Sequence, residues 1–91
     1  MDRAVAGQPD DAEVRMFRGR YLVEERKCRE AMEDFLAAQR LQPRNPATYN
    51  SAVLAALCLG DTPTARQNLQ QSLAINPNQP QLRALMQQMG L

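Results

Sequence analysis

Apolar and polar residues alternate along this chain with the spacing of amphipathic helices. Apolar residues recur three or four positions apart, and short stretches rich in Gly, Pro or Asn separate most of these runs from one another. The pattern predicts an all-α protein with four helices and a shorter fifth. The predicted helices cover residues 10–25, 29–41, 46–59, 62–75 and 82–89.

The predicted helix boundaries rest on residues that cap helices. Asn45 is a suitable N-cap, and Pro46 suits the first helical position because the missing N–H has no partner there in any case. Gly60 suits the end of the same helix because glycine adopts the left-handed conformation without strain. Asp10 and Glu13 have the spacing of a capping box, so we expect the first helix to begin at Asp10.

Many residues recur at an interval of 34. Pro9 also precedes Pro43 by this interval. A fixed period of this length is typical of solenoids, in which similar supersecondary units stack on one another. The repeated pairs are Ala31 and Ala65, Phe35 and Leu69, Ala38 and Ser72, Leu41 and Ile75, Pro43 and Pro77, and Pro46 and Pro80.

These residues resemble the tetratricopeptide repeats. That family has small residues on the first helix of each unit, then Ala-x3-aromatic on the second and a closing Pro. The resemblance implies an α-solenoid of antiparallel helix pairs with a 34-residue period. It rests on Gly19, Leu22, Ala31-x3-Phe35, Ala38 and Pro43 in one unit, and on Tyr49, Ala52, Val53, Ala56, Gly60, Ala65-x3-Leu69, Ser72 and Pro77 in the next.

The first unit departs from the family pattern at three positions. Arg15 and Arg18 stand where the family has large apolar residues, and Arg26 replaces the turn glycine. Met1, Ala4 and Val5 fall in the apolar phase of a still earlier unit, although a chance match is the alternative. The predicted divisions are 1–9, a remnant of a preceding repeat or a tail; 10–43 and 44–78, two repeats; and 79–91, a helix that caps the stack.

Composition limits the classes of partner and the cellular compartment that we expect for this protein. The net charge of +1 gives no electrostatic reason to expect nucleic acid or an anionic membrane as a partner. No apolar run reaches the roughly 18 residues of a membrane span, and no signal-peptide layout is present. Cys28 and Cys58 lie far apart without metal-ligand spacing, so we expect free thiols in a reducing cytoplasm, with a disulfide as the alternative.

Charged residues are concentrated in the first half of the chain. Among 11 basic and 10 acidic residues, only Asp61, Arg66 and Arg83 follow position 45. Interface cores are depleted in charge, so the second half is a candidate for contact with a partner. A preference for uncharged polar residues explains the same bias equally well.

The resemblance also implies a binding groove, because the first helices of tetratricopeptide units line the concave face of the stack. Residues 52–59 are apolar without a break, and part of this run falls on the groove side. We expect the groove to hold an amphipathic helix or an extended apolar peptide of another protein. Self-association, or no specific ligand, remains open. The predicted groove residues are Met16, Arg20, Val23, Glu24, Asn50, Leu54 and Leu57.

An enzymatic function is not expected. The chain has no histidine to act as a base, no Ser or Cys in a nucleophile motif and no glycine-rich phosphate loop, so we expect neither catalysis nor a cofactor. Two functions stay in contention. The first is an adaptor or chaperone-like module that binds a protein partner, and the second is a scaffold subunit that forms a homo-oligomer.

Overall fold

The computed structural model describes residues 11–90, and within them the chain forms five α-helices and no strand. This confirms the prediction of an all-α fold. None of the five is both long and apolar enough to cross a membrane. The predicted repeat remnant at 1–9 lies outside the described residues. The helices are α1 (Ala12–Glu24), α2 (Cys28–Leu41), α3 (Pro46–Cys58), α4 (Thr62–Ile75) and α5 (Pro80–Gln88).

Helices that follow one another in the chain pack side by side. α1 and α2 form hairpin one, α3 and α4 form hairpin two, and α2 lies against α3 between them. α1 also contacts α3, and α5 contacts α4. Pro46 follows Ala12 by 34 residues and Thr62 follows Cys28 by the same interval, so the two hairpins begin in equivalent positions. The assembly is elongated, measuring 43 × 26 × 16 Å.

Side-chain caps define where three of the helices begin. Asn45 accepts a hydrogen bond from the N–H of Ala47 at 2.9 Å, which confirms the predicted start of α3. Asp11 accepts one from the N–H of Glu13 at 2.9 Å and is the N-cap of α1. The prediction that Asp10 caps this helix is therefore wrong by one residue, because it is Asp11 whose carboxylate reaches the first-turn N–H.

Two clusters of mostly small apolar residues fill the space between the helices. The first is centred on Phe35, which is fully buried on α2, and the second on Leu69 of α4. One face of α5 packs against the second cluster. The first cluster contains Ala31, Phe35, Ala52 and Ala55; the second contains Val53, Ala56, Ala65 and Leu69, and is covered by Leu82, Leu85, Met86 and Met89.

Cys28 and Cys58 form a disulfide bond, so the prediction of free cysteines is wrong. Cys28 is the first residue of α2 and Cys58 is the last of α3. These helix ends meet, and the two Cα atoms lie 6.1 Å apart, within the range that a disulfide requires. The bond joins hairpin one to hairpin two. A crosslink over a loop of this length typically contributes about 3 kcal/mol to stability.

Candidate functional site

The predicted groove residues occupy equivalent positions on α1 and α3. Both helices start at the same point of the 34-residue interval, and the two helices are in contact. A stripe of residues on one helix therefore has its counterpart on the other. The equivalent pairs are Met16 and Asn50, Arg20 and Leu54, and Val23 and Leu57.

The exposure of these side chains differs between the two helices. On α3, Leu54 is 51% exposed and Leu57 is 41% exposed, one helical turn apart. On α1, Met16 and Val23 are half-buried because they pack against the first core cluster, whereas Arg20 remains exposed. Glu24 is also exposed. The apolar surface of the stripe is therefore concentrated on α3.

Asn50 has a structural partner. Its side-chain N–H donates to Oε1 of Gln79 at 3.1 Å. The amide of Gln79 in turn donates to Oγ of Ser72 at 3.0 Å and to the carbonyl of Asn76 at 2.8 Å. Asn50 thus connects α3 to the turn before α5. Its own Oδ1 is buried and has no hydrogen-bond partner within the described residues.

An open depression of about 590 Å³ lies between the N-terminal ends of α1 and α3. It brings together two predicted groove residues, Met16 and Arg20, but none of the predicted groove residues of α3. Leu54 and Leu57 lie outside it, on the open face of α3. The other residues that line it are Asp11, Glu13, Val14, Phe17, Asn45 and Ala47.

A second apolar stripe, on α1, was not predicted as a site. Val14, Phe17 and Tyr21 are 62%, 74% and 57% exposed. All three lie within the first helix that the sequence predicts. The 34-residue interval could have identified this stripe. It makes the three exposed positions on α1 equivalent to three positions on α3 that are buried. The buried equivalents are Thr48, Ser51 and Ala55.

Two arginines of α1 form ion pairs with a buried carboxylate of α2. Asp34 accepts hydrogen bonds from Nη1 of Arg15 at 3.1 Å, and from Nη2 and Nε of Arg18 at 2.7 and 2.9 Å. Burial raises the pKa of Asp34, but the hydrogen bonds and charges of Arg18 and Arg15 outweigh it and hold the pKa below its usual 3.8. The two arginines that depart from the repeat pattern are therefore anchored to α2.

The exposed side chains of the stripe form an apolar surface with charged residues beside it. Across residues 11–90, no three side chains of His, Cys, Asp or Glu come together as metal ligands. The exposed groups of the stripe are leucine side chains with Arg20 and Glu24 nearby. This combination suits the recognition of an apolar segment with charges at its edge.

Comparisons of the chain with protein-family models and with curated proteins found no match. The resemblance to tetratricopeptide repeats therefore rests on the residues of this chain alone.

Proposed function

We propose that this chain is a short α-solenoid of the tetratricopeptide type that holds a protein partner on its α1–α3 face. The 34-residue spacing of equivalent helix starts supports the repeat architecture. The burial pattern supports it as well, since Ala31, Phe35 and Ala38 of α2 and their three counterparts in α4 are all buried. The counterparts are Ala65, Leu69 and Ser72.

The exposed leucine pair on α3 is the observation that carries the proposed binding function. Leu54 and Leu57 are each about half exposed and lie on the same face of the helix. Covering the exposed halves of both side chains would contribute about 2 kcal/mol to binding. An apolar pair with charged residues around it matches the usual arrangement of a protein interface, which has an apolar centre and a polar rim.

The proposed partner segment is an amphipathic helix or an extended apolar peptide. Its apolar side chains would lie on Leu54 and Leu57 and reach the half-buried Met16 and Val23. Arg20 is exposed, so it can pair with an acidic group of the partner at the edge of the contact. The chemistry of this function is recognition alone, and no bond is made or broken.

A variant that introduces two negative charges tests this proposal. We expect Leu54→Glu/Leu57→Glu to lose at least tenfold in affinity for a partner captured by the wild-type chain, because a carboxylate cannot be desolvated against an apolar segment. Affinity capture followed by titration calorimetry with the identified partner measures the loss. Circular dichroism at 222 nm should be unchanged, since both side chains are exposed.

Leu36→Glu is the matched control. Leu36 is 41% exposed, as Leu57 is, but lies on α2 in a different surface depression, next to Gln39 and Asn68. The control should bind as the wild type does. Equal binding by all variants would contradict the proposed site, and loss of helicity in the double variant would make the two leucines core residues.

Self-assembly is the second candidate, and the exposed stripe on α1 favours it. Val14, Phe17 and Tyr21 expose an apolar surface on α1, and the first two line the depression between α1 and α3. Light scattering behind size-exclusion chromatography, over a concentration series, distinguishes the candidates. Self-assembly predicts a dimer or larger species that Phe17→Glu converts to a monomer. A monomer of 10.2 kDa at every concentration would leave partner binding as the function.

The disulfide changes the proposed compartment. The expectation of a cytoplasmic protein rested partly on free cysteines, and both cysteines are paired. Stable disulfides are typical of oxidising compartments. We therefore favour an oxidising compartment, and the redox state of the two cysteines in protein purified under alkylating conditions tests this choice.

A further inference from the structure

The two cysteines of the disulfide differ in their exposure to solvent. Cys28 is 4% exposed at the first position of α2, whereas Cys58 is exposed at the last position of α3. In thiol–disulfide exchange the accessible sulfur is attacked, and the other sulfur leaves as a thiolate. Access therefore assigns the attacked atom to Cys58 and the leaving group to Cys28.

The N-terminus of α2 is suited to stabilise the leaving thiolate. α1, α3 and α4 each have an N-cap side chain that accepts a backbone hydrogen bond, but Lys27, the N-cap of α2, provides none. The positive end of the α2 dipole therefore lies next to Cys28 without a side-chain acceptor from its N-cap. A sulfur at such a position is stabilised as the thiolate.

The surface beside the disulfide is basic. An open depression of about 360 Å³ reaches both cysteines. Its lining includes three cationic side chains and one carboxylate, so its formal charge is positive. A small thiol that carries carboxylates would find both the exposed cysteine, Cys58, and complementary charge here. The lining residues are Arg26, Lys27, Cys28, Arg29, Glu30, Cys58 and Leu59.

We propose that the Cys28–Cys58 disulfide is an exchange site for a small anionic thiol. The incoming thiolate attacks Sγ of Cys58, the Cys28–Cys58 bond breaks, and Cys28 leaves with the electron pair as a thiolate. The product is a mixed disulfide between Cys58 and the small thiol. A second molecule of the thiol can then displace Cys58, so that two small thiols are oxidised to their disulfide while the protein disulfide is reduced.

The exchange reaction uses different side chains from the proposed partner binding, although Cys58 directly follows Leu57 on α3. An exchange site must react while the protein is folded, and this property distinguishes it from a purely structural crosslink. A buried structural disulfide is reduced only when the chain unfolds, so its rate of reduction follows the fraction unfolded.

Glutathione, which carries a net negative charge at neutral pH, is the probe for the first experiment. Native protein is incubated with it, the reaction is quenched with acid, and peptides are mapped by mass spectrometry. We expect the mixed disulfide to form on Cys58 at a rate that low urea concentrations leave unchanged. A mixed disulfide mainly on Cys28, or a rate that rises with urea in step with global unfolding, would overturn the proposal.

The second experiment tests the charge of the depression. Lys27→Gln/Arg29→Gln should slow the reaction with glutathione by about tenfold, the lower end of the effect of local fields on association rates. The same variant should slow cysteamine, a cationic thiol, much less, because cysteamine gains nothing from basic neighbours. Rates are compared per thiolate, so that the different acidities of the two reagents do not enter.

Arg44→Gln is the matched control for this variant. Arg44 is an exposed arginine in the turn after α2, at the end of that helix away from Cys28. It removes a positive charge without touching the depression, and both thiols should react with it as with the wild type. Equal slowing of glutathione and cysteamine in Lys27→Gln/Arg29→Gln would refute recognition of an anionic thiol.

Discussion

The two hairpins have equivalent helix bounds, but the buried polar residue at one equivalent position has different hydrogen-bond partners in each. In hairpin one the position holds Asp34, and in hairpin two it holds Asn68. Asp34 is bound by Arg15 and Arg18 of α1, its own partner helix. Its ion pairs therefore connect the two helices of hairpin one.

Asn68 connects the hairpins to each other. It accepts a hydrogen bond at 2.8 Å from Gln39, which belongs to α2 of hairpin one. Its own N–H donates to the carbonyl of Thr64 at 2.9 Å. The same position of the two hairpins therefore holds either ion pairs within one hairpin or an uncharged hydrogen bond between the two hairpins. This difference parallels the uneven distribution of charge along the chain.

The apolar contact between the helices of each hairpin also differs. In hairpin one, Gly19 faces the ring of Phe35; a Cβ on Gly19 would overlap three ring atoms. The equivalent residues of hairpin two are Val53 and Leu69, both buried. A smaller residue on the first helix thus accompanies a larger one on the second, which conserves the packed volume.

Replacing Gly19 by the residue at the equivalent position of hairpin two should have the largest effect on stability. We expect Gly19→Val to destabilise the protein by about 3 kcal/mol, because the new side chain overlaps the Phe35 ring within a closely packed core. Urea unfolding followed by circular dichroism measures the loss. A near-neutral Gly19→Val would show that the ring can move aside and that the two pairs are not matched in volume.

Phe35→Leu provides the rescue. Alone it should cost about 1–2 kcal/mol through the cavity that it leaves. Combined with Gly19→Val it recreates the Val–Leu pair of hairpin two, and the double variant should recover most of the stability lost by Gly19→Val. Additive losses in this double-mutant cycle would contradict direct contact between the two side chains as the cause.

The second prediction replaces Asp34 by the residue of hairpin two. We expect Asp34→Asn to lose about 2 kcal/mol at neutral pH, because the hydrogen bonds from Arg15 and Arg18 are no longer charge-assisted. Glu33→Gln is the control, since Glu33 is an exposed neighbour that lines the same surface. It should change stability by less than about 0.5 kcal/mol.

The pH dependence of this loss has a definite sign. The pKa of Asp34 is lower in the folded protein than its usual 3.8. Its ion pairs therefore stabilise the fold above about pH 4, and this contribution disappears as pH falls through the folded-state pKa. The difference between wild type and Asp34→Asn should shrink below pH 4. A difference that stays constant down to pH 2 would argue against the carboxylate as the source.

The sequence predicted the helices well because their ends carry local signals. Asn45 and Pro46 fixed the start of α3, and Gly60 marked the turn that ends it. The role of Arg15 and Arg18 could not be predicted in this way, since their partner Asp34 lies on another helix. The disulfide also depends on tertiary structure, because only the packing of α2 on α3 brings Cys28 near Cys58.

The candidate site was predicted only in part, for a related reason. Periodicity gives the face of a helix on which a residue lies, but not whether another element covers that face. Leu54 and Leu57 were expected on an open face and are exposed. Asn50 was expected there too, yet it is bonded to Gln79, whose position depends on the turn between α4 and α5. Phe17 was not predicted as a site residue, yet it is 74% exposed.

The smallest predicted effect concerns the turn inside each hairpin, where the two units differ by one residue. Arg26 has a φ of 65° and its equivalent Gly60 a φ of 73°, and the hydrogen bonds that end α1 and α3 match in length. The left-handed conformation strains a residue with a Cβ but not glycine. We expect Arg26→Gly to stabilise the protein by about 0.5–1 kcal/mol, and Gly60→Arg to destabilise it by a similar amount.

One structural feature and one control variant make this exchange a clean measure of backbone strain. A Cβ on Gly60 would meet nothing within 4 Å, so a steric clash cannot account for the loss in Gly60→Arg. Arg26→Ala removes the same charge as Arg26→Gly while it keeps the strain, and it should leave the stability almost unchanged. If Arg26→Ala stabilised as much as Arg26→Gly, the gain would come from lost charge repulsion, and the turns of the two hairpins would be equally relaxed.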